Sequence, residues 1–344
     1  MIDNFYIESL NQLKGKTIAI VYIFEKEDAP GFEHYHVWKS DVIAGWLTAV
    51  QELECIPFIL DVRTFVHKAI NRTLPHIDYV LNLNCGSCEL SSMSLVPSMC
   101  SFLSIPCVPC DAVSIVAGEN KKISNLIASA MNLNVPKNLD HSDEDGIFRP
   151  LNFGSSIGLK KGHIDNITSD GIYQEFIPGF DITIPIVYNP YIKDIDLLPP
   201  ILYMPKSCDP NWIFGEKEKE NVSEYSIAPV LKVDEETAKT IIQFAKVFPI
   251  QTFGRIDARV KSNEKYLSLD EAKNTLKIEN LFFLEINPMP TVEKQLSFEI
   301  DYAFETAGQN EGHSFYKCVN MYKSSIKNPS INGFLLSCSM LALS

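Results

Sequence analysis

The strongest constraint on the fold is an alternation, near the N-terminus, of short apolar runs with segments whose apolar residues recur at helical spacing. Residues 17–24 (TIAIVYIF) are continuously apolar, as a strand buried on both faces must be. WKSDVIAGWLTAVQE (38–52) then has a helical period, ECIPFILDV (54–62) and HIDYVLNLN (76–84) read as further strands, and LSSMSLVPSMCSFLSI (90–105) as an apolar helix with Pro97 near its first turn. Strand–helix alternation of this kind requires a parallel sheet covered by helices, so residues 1–117 are expected to form one α/β domain.

Beyond residue 118 the pattern changes. GENKKISNLIASAMNLNVPKN (118–138) predicts a helix ending before Pro136, followed by an acidic loop, NLDHSDEDG. The chain has only 16 glycines, yet Gly146, Gly154, Gly158, Gly162, Gly171 and Gly179 crowd into one short stretch. Such crowding marks backbone that turns sharply or approaches a ligand. Strands are expected from about residue 182, then a polar stretch (205–227), a helix (234–248) and two strands, TFGRIDARV (252–260) and LFFLEINPMP (281–290). The charged insert between the last two reads as a solvated hairpin extension.

Composition narrows the partners. Lys plus Arg number 30 against 43 for Asp plus Glu, a net charge of −13. An acidic chain gains nothing from counterion release on a polyanion and is repelled by anionic lipid, which argues against nucleic acid and membrane surfaces as partners. No apolar run approaches the ~18 residues of a membrane span, and the first residues lack a signal-peptide core, so a cytoplasmic setting is expected. Nine cysteines, an odd number, fit a reducing compartment. Cys85, Cys88, Cys107 and Cys110 have the spacing of a structural zinc site. The second pair, however, lies in the extended segment SIPCVPCDA, and buried thiols behave as small hydrophobes, so zinc is the less favoured reading.

Three segments carry chemistry. In FRPLNFGSSIGLKKG (148–162), Arg149 leads into a Gly-Ser-Ser-x-Gly turn, where backbone N–H groups, the hydroxyls of Ser155 and Ser156 and a fixed cation form a cradle for phosphate oxygens. In GRID (254–257) and LEIN (284–287), strand alternation puts Arg255 with Asp257, and Glu285 with Asn287, on one face. If the two strands are neighbours, Asp257, Glu285 and Asn287 form an oxygen patch suited to one or two Mg²⁺ ions, and Arg255 can clamp a transferring phosphoryl group. In YQEFIPGFDITIPIV (173–187), Glu175 and Asp181 flank a Gly turn where backbone groups can pair with an adenine edge.

Together and in this order, GENK, FRP…GSSIG, YQEFIPGFDI, GRID and FLEINPMP resemble the ATP-grasp ligases, and within them the D-alanine–D-alanine ligase branch, over residues 16–325. The resemblance implies a three-lobed ATP-grasp fold with an N-terminal Rossmann-like domain (1–117), a shortened central lobe (118–181), a C-terminal lobe (182–330) and a tail (331–344). It also implies ATP as cofactor, with Mg²⁺ at up to two sites and Mn²⁺ able to replace it. By position, Lys121 and Arg149 correspond to the nucleotide-phosphate cations, and Ser155 and Ser156 to the loop over the γ-phosphate. Gln174, Glu175 and Ile177 correspond to the adenine hinge, Asp181 to the ribose carboxylate, and Lys217 to the lysine of the closing loop. Arg255 corresponds to the phosphate-contacting arginine, and Asp257, Glu285 and Asn287 to the metal ligands. A homodimer is expected on the same ground.

The departures concentrate where that family holds its amino acids. The region of the N-terminal substrate glutamate reads EHYHVWKSD, with Glu33 out of register, and the HGxxGExG loop appears as NCGSCELS, keeping only Glu89. Thr291 occupies the glycine of the oxyanion turn, and Glu218 replaces the tyrosine after the lid lysine. The expectation is an ATP-dependent carboxylate–amine ligase working through an acylphosphate on a small carboxylic acid and an amine, with a product other than D-alanyl-D-alanine. A catalytically degenerate ATP-binding module and a zinc-organised interaction protein remain open alternatives.

Overall fold

A computed structural model describes residues 2–24, 38, 40–86, 91–139, 146–151, 154, 156, 158–163, 170–230, 232–262, 276–292 and 298–344. The N-terminal apolar runs form a parallel sheet in the order β2-β1-β3-β4, with β1 Thr17–Tyr22, β2 Ile56–Asp61, β3 Tyr79–Leu83 and β4 Cys107–Val108. Helices α1 (Ile2–Leu13), α2 (Ser40–Glu52), α3 (Val62–Ile70) and α4 (Leu95–Leu103) accompany it, and Pro97 falls in the first turn of α4, where no backbone donor is lost. This is the expected α/β layer, with β1 central because its four middle residues are apolar and fully buried.

Two helices, α5 (Ala112–Glu119) and α6 (Lys121–Ala130), lead into the second half, with Asn120 between them capping α6 through the N–H groups of Lys122 and Ile123. The glycine-rich stretch forms a small antiparallel sheet, β6-β5-β7, with β5 Gly146–Pro150, β6 Lys160–Lys161 and β7 Gly171–Glu175. Among the described residues no helix follows the GSSIG turn before β7.

The third sheet has six strands: β8 Gly179–Asn189, β9 Asp194–Leu197, β10 Ile201–Pro205, β11 Tyr225–Pro229, β12 Phe253–Lys261 and β13 Leu281–Asn287. Its order is β11-β10-β8-β12-β13, with β9 also on β8, and α8 (Glu235–Val247) packs on it after the short α7 (Glu216–Glu220). The polar stretch 205–227 thus contains α7 and the start of β11. Most of the charged insert, residues 263–275, lies outside the described residues.

The C-terminal segment differs most from expectation. It forms three helices, α9 (Phe298–Gln309), α10 (Tyr316–Ser325) and α11 (Ile331–Leu343). The segment 331–344, expected as a tail, is a helix with ten buried residues packed among α1, α2 and β8, in the same core as β1 and β3. A helix apolar on every side shows no amphipathic period and must be buried all round. At its N-terminus Glu52 accepts from the Tyr322 hydroxyl (2.9 Å) and the Ser330 hydroxyl (3.0 Å), which locks α11 to α2. Among the described residues no helix is long and apolar enough to cross a membrane.

Candidate active site

Strands β12 and β13 are antiparallel neighbours, with Asp257 opposite Glu285 and Arg255 opposite Asn287. Directly opposed residues project to the same face, so the four side chains share one patch. A bulge after Asp257 shifts the pairing so that Ala258 faces Phe283, which ends the polar patch on β12 and restores the apolar core. On the other flank β8 puts Thr183 opposite Asp257 and Asp181 opposite Arg259.

This face floors a cavity of about 530 Å³ lined by the two antiparallel sheets and by Trp38, Cys85, Met93 and the α5 residues Ile115, Gly118 and Glu119. Twelve of the fifteen residues singled out from sequence line it: Lys121, Arg149, Ser156, Gln174, Glu175, Ile177, Asp181, Arg255, Asp257, Glu285, Asn287 and Thr291. Ser155 and Glu89 lie outside the described residues, as does Cys88.

Lys217 is the exception. Both Lys217 and Lys219 are exposed, but only Lys219 lines the cavity. Residues two apart on a helix point to nearly opposite sides, so α7 turns Lys217 outward and Lys219 inward. Lys219 Nζ donates to Ser156 Oγ (3.0 Å) and sits over the Phe214 ring, while Ser156 donates to the Phe214 carbonyl (3.1 Å). The serine turn and the α7 segment are thereby closed on each other above the cavity. The Lys219 ammonium remains accessible from the cavity, and enclosure followed by repulsion from Arg255 lowers its pKa. Of the two α7 lysines, it is Lys219 and not Lys217 that the structure puts at the cavity.

The floor is built from paired charges. Glu285 Oε2 lies 3.1 Å from Lys121 Nζ and 3.4 Å from an Arg149 guanidinium nitrogen. Burial alone would raise Glu285, but Lys121, Arg149 and Arg255 outweigh it and hold the carboxyl at about 2. Burial also lowers the pKa of Lys121 and Arg149, opposed by Glu285. Arg255 donates to Asp257 Oδ2 (2.8 Å) and reaches Glu299 on α9 (3.4 Å), and Thr183 donates to Asp257 Oδ1 (2.6 Å). Asn287 Oδ1 accepts from the Met289 N–H (3.1 Å).

The hinge depends on a residue that the sequence motifs do not flag. Arg259, 5% exposed, donates from Nε to the Ile177 carbonyl (2.8 Å), from Nη1 to Asp181 (2.8 Å) and from Nη2 to the carbonyls of Gly179 (2.5 Å) and Trp212 (3.1 Å). It ties the β7–β8 turn to the segment before α7. Gly179 has φ +145, and a Cβ there would fall 2.0 Å from the Val260 carbonyl oxygen, so only glycine permits this approach. Gln174 is buried and committed to structure: its Nε2 donates to the Pro136 carbonyl (3.0 Å) and Asn125 Oδ1 (3.2 Å). The Glu175 carboxylate accepts from the Lys137 N–H (2.9 Å).

Two carboxylates and a carboxamide on adjacent strands are hard oxygen donors. They fit Mg²⁺, which takes few protein ligands and completes its shell with water and substrate phosphates. Among the described residues no group of three or more His, Cys, Asp or Glu side chains is placed to hold a metal. Cys85 is buried beside Trp38 at the cavity, Cys110 donates to the Pro288 carbonyl (3.4 Å), and burial raises the thiol pKa of both.

No protein-family model and no curated protein matches the chain. Solved structures do. D-alanine–D-alanine ligase from Bacillus anthracis complexed with ATP superposes with a TM-score of 0.56 at 14% identity, covering 91% of this chain and 98% of that one. VanG D-Ala:D-Ser ligase from Enterococcus faecalis gives 0.54 at 14% identity, covering 91% and 100%. A second structure of the Bacillus anthracis enzyme gives 0.55 at 15% identity, covering 90% and 97%. The chain therefore has the D-alanine–D-alanine ligase-like ATP-grasp fold.

Proposed function

We propose that the protein is an ATP-dependent ligase that joins a carboxylic acid to an amine. The observation that carries this reading is the cavity floor, where Lys121, Arg149, Lys219 and Arg255 gather around Asp257, Glu285 and Asn287. An acidic chain that concentrates cations and hard oxygen donors in one cleft is built for polyphosphate. The likeness to ligases, one of them solved with ATP, supports the same reading.

In this reading the β7–β8 hinge and Asp181 receive the nucleoside, and Lys121 and Arg149 hold its phosphates. Lys219 and Ser156 close over the terminal phosphate, and Arg255 faces the charge that develops in transfer. Asp257, Glu285 and Asn287 would hold Mg²⁺, which supplies charge neutralisation at the phosphates when bound. The acid's carboxylate oxygen attacks the γ-phosphorus, and the bond to ADP breaks. The amine nitrogen then attacks the acyl carbon, the carbon–oxygen bond to phosphate breaks, and the nitrogen's proton leaves with phosphate or solvent. Thr291 at the cavity, together with the altered substrate motifs, supports a product other than D-alanyl-D-alanine.

The test is a panel of amino acids and short acids assayed for ATP-dependent release of ADP and phosphate, with mass spectrometry of the product. Condensation of one acid–amine pair is the expected result. Tight ATP binding without release of ADP for any pair supports a binding module instead.

A further inference from the structure

The ligase reading leaves the amine unnamed, and the end of the cavity remote from the hinge carries information about it. That end is walled by Trp38, Cys85, Met93 and Met289, which belong to or pack on the N-terminal core. Glu119, the last residue of α5, is the acid among them. Two neighbours fix its position. Gly118 approaches β13 so closely that a Cβ would fall 2.9 Å from Pro288 Cδ, next to Met289. On the other side the Glu119 carboxyl accepts from the backbone N–H of Ser91, two residues before Met93.

What distinguishes Glu119 is an unused acceptor. Its Oε2 is buried and has no hydrogen-bond partner among the described residues. The other acids of the cavity are engaged: Asp181 by Arg259, Asp257 by Arg255, Glu285 by Lys121 and Arg149, Glu299 by Arg255, and Glu175 by the Lys137 N–H. A buried carboxylate oxygen without a donor costs free energy that a charged donor on a ligand recovers. The surrounding walls offer apolar and thioether surface.

We propose that Glu119 Oε2 receives the ammonium group of the amine substrate, and that the Trp38–Met93–Met289 wall takes an apolar group on the same molecule. The second substrate is then a primary amine or amino acid with a hydrophobic side chain. This rests on the ligase reading only for its place in the reaction; the subsite itself is a matter of binding.

The test is calorimetric titration of the full-length protein with 2-phenylethylamine and isopentylamine, each against its isosteric alcohol, with Mg²⁺ and a non-hydrolysable ATP analogue present and again without them. Each amine is expected to bind about tenfold more tightly than its alcohol. Glu119→Gln keeps the shape and is expected to abolish that ratio. Met93→Ala is expected to weaken amine and alcohol alike by several-fold, on the order of the apolar area lost. The thermal midpoint and analogue affinity of Glu119→Gln report whether its fold is intact, and the wild-type ratio needs no variant. Equal binding of amine and alcohol, no binding of either amine, or an undiminished ratio in Glu119→Gln overturns the proposal. Failure of the ATP analogue to bind contradicts the ligase reading instead, and the amine-to-alcohol ratio still decides the role of Glu119.

Discussion

The two ends of the cavity are built on opposite principles. At the hinge and floor almost every charge has a partner: Asp181 with Arg259, Asp257 with Arg255, Glu285 with Lys121 and Arg149. At the other end Glu119, near the Lys121 charge, lines the cavity along with Trp38, Met93 and Met289 and has one oxygen unused. The closed network holds its side chains in place before any ligand arrives, which is what positioning a polyphosphate requires. The open end has an unmet demand that its ligand must satisfy. Variation in substrate is cheap at the open end and expensive at the floor, because changing one floor residue strands a buried charge.

The hinge is where this contrast breaks most sharply. Arg259→Ala removes the donor to Ile177, Asp181, Gly179 and Trp212 and leaves the Asp181 carboxylate without its ion pair. We expect a loss of roughly 3–5 kcal/mol in unfolding free energy, read by denaturant titration. A loss below 1 kcal/mol would mean that the hinge is held from elsewhere. Next come Asp257→Asn and Glu285→Gln, each expected to lower turnover about 10²–10³-fold in an ADP-release assay. Unchanged turnover in either would remove that residue from the phosphate site.

The α7 lysines sharpen the picture with a smaller effect. Lys219→Ala is expected to reduce kcat/KM for ATP about tenfold, with Lys217→Ala near wild type. The reverse order would restore Lys217 as the closing residue.

The smallest effect is a pH dependence. Burial pushes Glu119 up to about 7, so its folded pKa lies above the unfolded value near ~4.3. Its contribution to stability is fully present below the unfolded value and is lost as pH rises through about 7. Glu285 has the opposite sign: held at about 2, it stabilises above ~4.3 and loses that contribution as pH falls toward about 2. Thermal melts of Glu119→Gln should be flatter than wild type between the two Glu119 values, and an unaltered slope there would contradict the assigned shift.

The same contrast explains what was legible in the amino-acid sequence. Arg255 with Asp257, and Glu285 with Asn287, are two apart on strands, so local alternation was enough to put each pair on one face, and β12–β13 pairing joined them. Lys217 and Lys219 sit on a five-residue helix in a run of alternating charge, and local pattern does not say which faces inward. Arg259 looked like one more residue of an apolar strand, because its partners come from residues 177–212. The open end draws on residues 38, 85, 93, 119 and 289, brought together only by tertiary packing. The helix α11 was invisible for another reason: burial on every side erases its period.

The measurement that bears most directly on the chemistry is the fate of labelled oxygen. With a carboxylic acid substrate bearing ¹⁸O in its carboxylate, transfer through an acylphosphate places one ¹⁸O in the inorganic phosphate for each product molecule formed. Phosphate carrying that label, produced only when acid, amine and ATP are all present, is the predicted result. ATP cleavage that yields unlabelled phosphate, or proceeds without the acid, would contradict the ligase assignment.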